Sequence, residues 1–163
     1  MIKIVEYKDE YAKELSDIIL ANLYKINIKD YGKEIIDKIS VNFTENKIKE
    51  NFPKRTKCFV ALNNGIVVGT ASIDKFKGDE TGKKYIILTV FVNPKNHYQG
   101  IGKMLINSIE NYAKKINAKE LIVPSSIYAN EFYHKLGYNY INKNKELNDK
   151  KQYMMIKYFD KIK

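Results

Sequence analysis

The 163-residue sequence predicts an α/β fold, a mixed sheet of about seven strands carrying about four helices. A buried strand, a crossover and a hairpin turn carry that prediction. Tyr85 to Val92 is a nearly unbroken run of apolar, β-branched and aromatic residues, the pattern of a strand buried on both faces. A glycine turn follows, and then Ile101, Met104, Leu105, Ile109, Tyr112, Ala113 and Ile116 recur at the 3 and 4 spacing of an amphipathic helix. Beyond the helix, Ala118 to Pro124 is a short apolar strand, and a strand reached by such a crossover lies parallel to the first. Asn63-Asn64-Gly65, set between two strand-like runs, marks an antiparallel hairpin, so the sheet is mixed.

The remaining elements follow in chain order. Ile2 to Tyr7 alternates apolar and polar residues as a first strand, and from Lys8 onward Tyr11, Leu15, Ile18, Ile19 and Leu23 keep helical spacing to about Lys25. Ile26 to Tyr31 has no clear period and reads as a surface connector. Gly32 to about Val41, with Ile35, Ile36 and Ile39, is a second helix, and Thr44 suits the N-cap of a shorter turn. Phe52-Pro53-Lys54-Arg55 breaks the pattern before the hairpin strands Lys57 to Leu62 and Ile66 to Asp74. Phe76 to Lys83, with Gly78 and Gly82, is a loop. Ser125 to Leu136 is a short helix with Ala129, Phe132, Tyr133 and Leu136 on one side, stopped by Gly137. Tyr138 to Ile141 and Gln152 to Tyr158 are the last strands, separated by the polar loop 142–151. No repeat or low-complexity linker divides the chain, so residues 1–163 are expected to form one domain.

Composition narrows the function classes. Hydrophobic residues make up 44% and charged residues 29%, ordinary values for a globular protein. No apolar run reaches the ~18 residues of a membrane span, and Met1 opens into Ile2-Lys3-Ile4 without a leader pattern. The expectation is a soluble cytoplasmic protein that does not engage membranes. Cys58, the only cysteine, has no internal partner and is expected to be buried in a strand beside Phe59. Two histidines and one cysteine supply no zinc-type cluster, so no metal is expected. The net charge of +10 raises the question of nucleic acid. Arg55 is the only arginine, however, and the scattered lysines lack the forked contacts used at phosphates and guanine edges, so no specific nucleic-acid partner is expected.

Gly100 and Gly102 at the mouth of a helix let a ligand approach backbone N–H groups that have no intrahelical partner, which makes an anion site. A dinucleotide fingerprint would need glycine where the chain has Leu105, and a Walker loop would need Ser or Thr where it has Met104. Both fail.

His97-Tyr98-Gln99-Gly100-Ile101-Gly102 instead resembles the acyl-CoA loop of the GNAT superfamily of N-acetyltransferases: Arg or Gln, two residues, Gly, one residue, then Gly or Ala. Both glycines match, and His97 stands where Arg or Gln is usual. Downstream, Ser126 to Tyr138 resembles the second signature of that superfamily, with Ala129, Phe132, Tyr133, Leu136, Gly137 and Tyr138 matching and Ser126 in place of the usual Asn. The two motifs occur in the family's order, across one short strand.

The resemblance implies that the parallel strands 85–92 and 120–124 splay apart and admit acetyl-CoA. It implies that Gln99, Gly100, Ile101, Gly102 and Lys103, with His97 and Tyr98, hold the pyrophosphate. Val90, Phe91 and Val92 would meet the pantetheine arm from one side, and Ser126, Ala129 and Phe132 from the other. The expected activity is transfer of an acetyl group directly to a primary amine, on a small molecule or a protein, with Tyr133 as general acid. The strand carries no carboxylate to act as base, only Thr89. Tyr24, Tyr31 and Tyr85 are candidates for the acceptor side. The alternative is a non-catalytic acyl-CoA-binding sensor or interaction module of the same fold. Monomer and homodimer both fit.

Overall fold

The computed structural model describes residues 1–159; the last four residues of the expected domain, 160–163, lie outside the described residues. The strands are β1 (Ile2–Glu6), β2 (Lys57–Asn63), β3 (Ile66–Lys75), β4 (Lys84–Val92), β5 (Glu120–Ser125), β6 (Asn139–Tyr140) and β7 (Tyr153–Tyr158). They form one sheet in the order β1-β2-β3-β4-β5-β7-β6. Asn64 (φ 49°) and Gly65 (φ 84°) take the left-handed pair of angles that a two-residue hairpin needs, and β2 returns antiparallel as β3. Strands β4 and β5 run parallel, and every other pairing is antiparallel.

Among the described residues five α-helices accompany the strands: α1 (Ala12–Asn22), α2 (Ile28–Ser40), α3 (Glu45–Asn51), α4 (Ile101–Lys115) and α5 (Asn130–Lys135). Alternation along the strands divides their side chains between two cores. Val68, Ala71, Ile73 and Ile87 pack with Ile101, Leu105, Ile106 and Ile109 of α4. Cys58, Val60 and Val67 pack with Leu15 and Ile19 of α1, Ile36 of α2 and Ile48 of α3. Each fully buried aliphatic side chain contributes roughly 1.5–3 kcal/mol of transfer free energy, so both helical layers are held by their apolar faces. Thr44 caps α3 as expected, its side chain accepting from Lys47 N at 3.3 Å.

Several expectations are corrected. Residues 26–31, read as a connector, are helical: Leu23–Asn27 is a wide π-type turn that runs into α2, which is broken only at Gly32 (φ 78°). Ile28 and Tyr31 pack against the α1 core, and that burial holds the turn where periodicity gave no sign of it. Strand β4 is not buried along its length. Tyr85 and Ile87 are, whereas Val90, Phe91 and Val92 are half-buried because β4 parts from β5 there. Helix α5 starts at Asn130 rather than Ser125, since Ser126 Oγ accepts from Ala129 N (3.2 Å) and holds 126–129 as a turn.

Lys157 of β7 ties three elements together. Its ammonium reaches the buried Glu110 of α4, donates to the Leu136 carbonyl at the end of α5 (2.8 Å), and lies over the Tyr138 ring (5.4 Å).

Candidate functional site

Strands β4 and β5 pair at Lys84–Glu120, Tyr85–Leu121 and Ile86–Ile122 and no further. From there β5 stays on β7 through Ser125 while β4 stays on β3, which opens a wedge between the parallel strands. A β-bulge lies where they part: Ser72 faces Leu88 and Thr70 faces Phe91, so Ala71 alone opposes Thr89 and Val90. Thr89 has φ 54°, an outlier for a β-branched residue.

Asn93 N donates to Val68 O (2.7 Å), so in the alternating antiparallel ladder the backbone groups of Val92 point away from β3, into the wedge. Two side chains occupy its carbonyl: Asn22 Nδ2 donates from α1 (2.9 Å), and His97 Nε2 lies at 2.9 Å. Since a carbonyl only accepts, His97 carries a proton on Nε2. The Val92 N–H stays turned to the wedge.

The wedge widens into a cleft of about 580 Å³. On one lip, Gly100 takes φ 80° and gives α4 no side-chain cap, which leaves the first amides of a 15-residue helix, at Ile101, Gly102 and Lys103, directed at the opening. Anions are favoured there. Val90, Phe91, Val92, His97 and Tyr98 line the same side, whereas Gln99 is exposed and does not. On the other lip stand Ser126, Ala129, Phe132 and Tyr133. Tyr98 and Tyr128, one from each lip, meet at their hydroxyls (3.3 Å).

A Cβ on Gly102 would stand 3.1 Å from Phe132 Cζ and 3.2 Å from Cε1. Gly102→Val therefore pushes Phe132 across the cleft while leaving the helix angles intact. Affinity for an anionic ligand such as pyrophosphate should fall at least about tenfold, roughly 1.4 kcal/mol, by calorimetric titration. Unchanged affinity would show that these amides meet no ligand.

Tyr133 is 5% exposed, and burial raises its phenol pKa well above the usual tyrosine range. Its hydroxyl makes no hydrogen bond among the described residues. The one sealed, unpartnered side-chain oxygen among them is that of Tyr138, so the Tyr133 hydroxyl opens on the cleft that its residue lines.

The three acceptor-side tyrosines are not brought to this cleft. Tyr24 turns outward to Asp37 Oδ1 (2.6 Å) and Ser40 Oγ (3.2 Å), and Tyr85 is buried in the α4 core. Tyr31 instead spans two loops: its hydroxyl donates to Lys151 O (2.8 Å) and accepts from Ile127 N (3.2 Å). Ile26 and Asn27, from the 26–31 stretch expected to wall the acceptor side, do line the cleft, and Asn22 lines it without having been singled out from the sequence. A polar Asn on an otherwise apolar helix face was the available signal for Asn22. Among the described residues no group of His, Cys, Asp and Glu could hold a metal ion, and no helix is long and apolar enough to cross a membrane.

The family model for the acetyltransferase (GNAT) domain matches residues 27–159. No curated protein matches the sequence. Among solved structures, the chain is similar to the PaiA N-acetyltransferase of Thermoplasma acidophilum in complex with coenzyme A, with TM-score 0.83 and 17% identity over 98% of this chain and 99% of that one. It is also similar to a GCN5-related N-acetyltransferase of Rhodopseudomonas palustris, with TM-score 0.76 and 24% identity over 96% and 95%. A third is a GNAT family acetyltransferase of Brucella melitensis in complex with acetyl-CoA, with TM-score 0.67 and 18% identity over 98% and 89%. At these identities the likeness is one of fold.

Proposed function

The chain belongs to the GNAT family of acetyltransferases, and on that premise we propose that it transfers the acetyl group of acetyl-CoA directly to a primary amine, with Tyr133 as general acid. The observation that carries this reading is the Tyr133 hydroxyl, without a partner among the described residues and open to the cleft that the α4 amides also face. In this reading the amides of Ile101, Gly102 and Lys103 hold the pyrophosphate, and the Val92 N–H pairs with the pantetheine arm. The thioester then lies between β4 and Tyr133.

A neutral amine attacks the thioester carbonyl. As the tetrahedral intermediate collapses, the C–S bond breaks and the phenol gives its proton to the departing thiolate. The raised pKa serves this step by keeping the phenol protonated at every working pH. Strand β4 offers no carboxylate, so the amine arrives neutral, the proton its nitrogen sheds as the amide forms passes to solvent, and solvent returns one to the Tyr133 phenolate. The acceptor enters beside Ile26 and Asn27, where α1 passes into α2, and the 142–151 loop is tied over that end by Tyr31. A single cytoplasmic domain acting on a small amine or a protein amino group fits this arrangement.

Thermal unfolding with and without acetyl-CoA tests the cofactor. Ligand at about a hundred times its dissociation constant should add roughly 2.7 kcal/mol, a rise of several degrees for a domain of this size. ATP and desulfo-CoA serve as controls. No shift at millimolar acetyl-CoA would sink the reading.

A further inference from the structure

We propose that Arg55 is a positioning residue for acetyl-CoA: it clamps the bulge of β4 so that Val90 and Val92 present their backbone to the cleft. The proposal rests on the cofactor reading above.

Arg55 lies at the entrance to β2, half-buried, with its guanidinium carbon 4.4 Å from the centre of the Phe52 ring. One nitrogen, Nη1, donates to both Ser72 Oγ (2.9 Å) and Thr89 Oγ1 (2.8 Å). These hydroxyls flank the register shift. Ser72 is the last regular partner on β3 before the unpaired step, and Thr89 is the bulged residue of β4. Thr89 holds φ 54°, a conformation that a β-branched side chain opposes, so a bonded hydroxyl is what offsets that cost. Without the extra residue the faces of β4 beyond Leu88 would exchange, because one residue of register reverses every side chain and backbone group. Val90 and Val92, now packed on the α4 side, would turn to the α1 side.

The chain uses lysine nearly everywhere else and arginine only here. A rigid planar guanidinium stacked on Phe52 holds Nη1 at a fixed point between two acceptors, whereas an ammonium on a flexible stem does not.

The test uses Arg55→Met, Arg55→Lys, Thr89→Gly and the double variant Arg55→Met/Thr89→Gly. Glycine accepts the left-handed angles without help. Arg55→Met should weaken acetyl-CoA binding about tenfold, with a smaller loss for Arg55→Lys, while the double variant binds no worse than Thr89→Gly alone because coupled residues are non-additive. The Thr89 Cα and Cβ chemical shifts, read by NMR without ligand, should leave their left-handed values in Arg55→Met. That readout does not depend on the cofactor. If wild-type protein fails to bind acetyl-CoA, the cofactor reading falls and the shifts still judge the clamp. A melting temperature lowered in Arg55→Met with affinity and Thr89 shifts unchanged would reduce Arg55 to a structural role and overturn the proposal. So would equal losses of affinity when Arg55→Met is introduced into the wild-type protein and into the Thr89→Gly variant. Should Arg55→Met not fold, Arg55→Lys with and without Thr89→Gly decides by the same two readouts.

Discussion

Tyr133→Phe should lower kcat for acetyl transfer by roughly 10² to 10³, within the range that a positioned acid supplies, and leave acetyl-CoA affinity and melting temperature nearly unchanged. The split follows from where the hydroxyl sits. It has no hydrogen-bond partner among the described residues, so removing it breaks no bond that holds the fold. The ring remains, packed edge-on to Phe132 (5.1 Å) and Tyr138 (6.0 Å), so the cleft wall keeps its shape. What is lost, in the proposed mechanism, is the proton for the thiolate. Burial also keeps that phenol protonated beyond the usual tyrosine range, so its ionisation gives the wild-type rate no alkaline limb below about pH 10. The measurement is free thiol released against a panel of primary amines, with calorimetric titration of acetyl-CoA alongside. Equal kcat in the two proteins would remove Tyr133 from the chemistry. Wild-type binding without turnover of any amine would instead leave a cofactor-binding module.

The largest stability loss should come from Lys157→Met. Glu110 is buried, and the Lys157 ammonium is its partner as well as the donor to the Leu136 carbonyl that ends α5. Removing one member of such a pair leaves a carboxylate and a carbonyl without their partner, at a cost of about 3 kcal/mol. For a domain of this length that is roughly 6–12 °C in melting temperature. Lys157→Met/Glu110→Gln should recover part of the loss, because the second substitution removes the stranded charge. Urea denaturation of the four proteins completes the cycle. Equal losses in the single and double variants would show that the carboxylate is not the source.

The element order was legible because each signal was local. The Asn64-Gly65 turn, the apolar run of β4, the periodicity of α4 and the stop at Gly137 each depend on a few adjacent residues. The glycine loop and the Tyr133 motif were legible for the same reason, since a helix mouth and a short helix face are written in consecutive positions. What escaped lay between distant segments. Asn22 and His97 converge on one carbonyl from widely separated parts of the chain, and neither spacing nor composition links them. Tyr24 faces Asp37 because the wide turn after α1 rotates it outward, a rotation that a connector without period could not announce.

Fold class, strand and helix sequence, the uncapped glycine mouth of α4 and the tyrosine of the second motif are properties of local pattern, and local pattern is encoded residue by residue. The bulge at Thr89, the wedge between β4 and β5, the capping of Val92 and the clamp of Arg55 were decided only in three dimensions. Each is a balance in which contacts between remote residues outweigh a local preference: Thr89 in a strand would keep extended angles, and Arg55, just ahead of β2 and anchored on Ser72 of β3, holds it elsewhere.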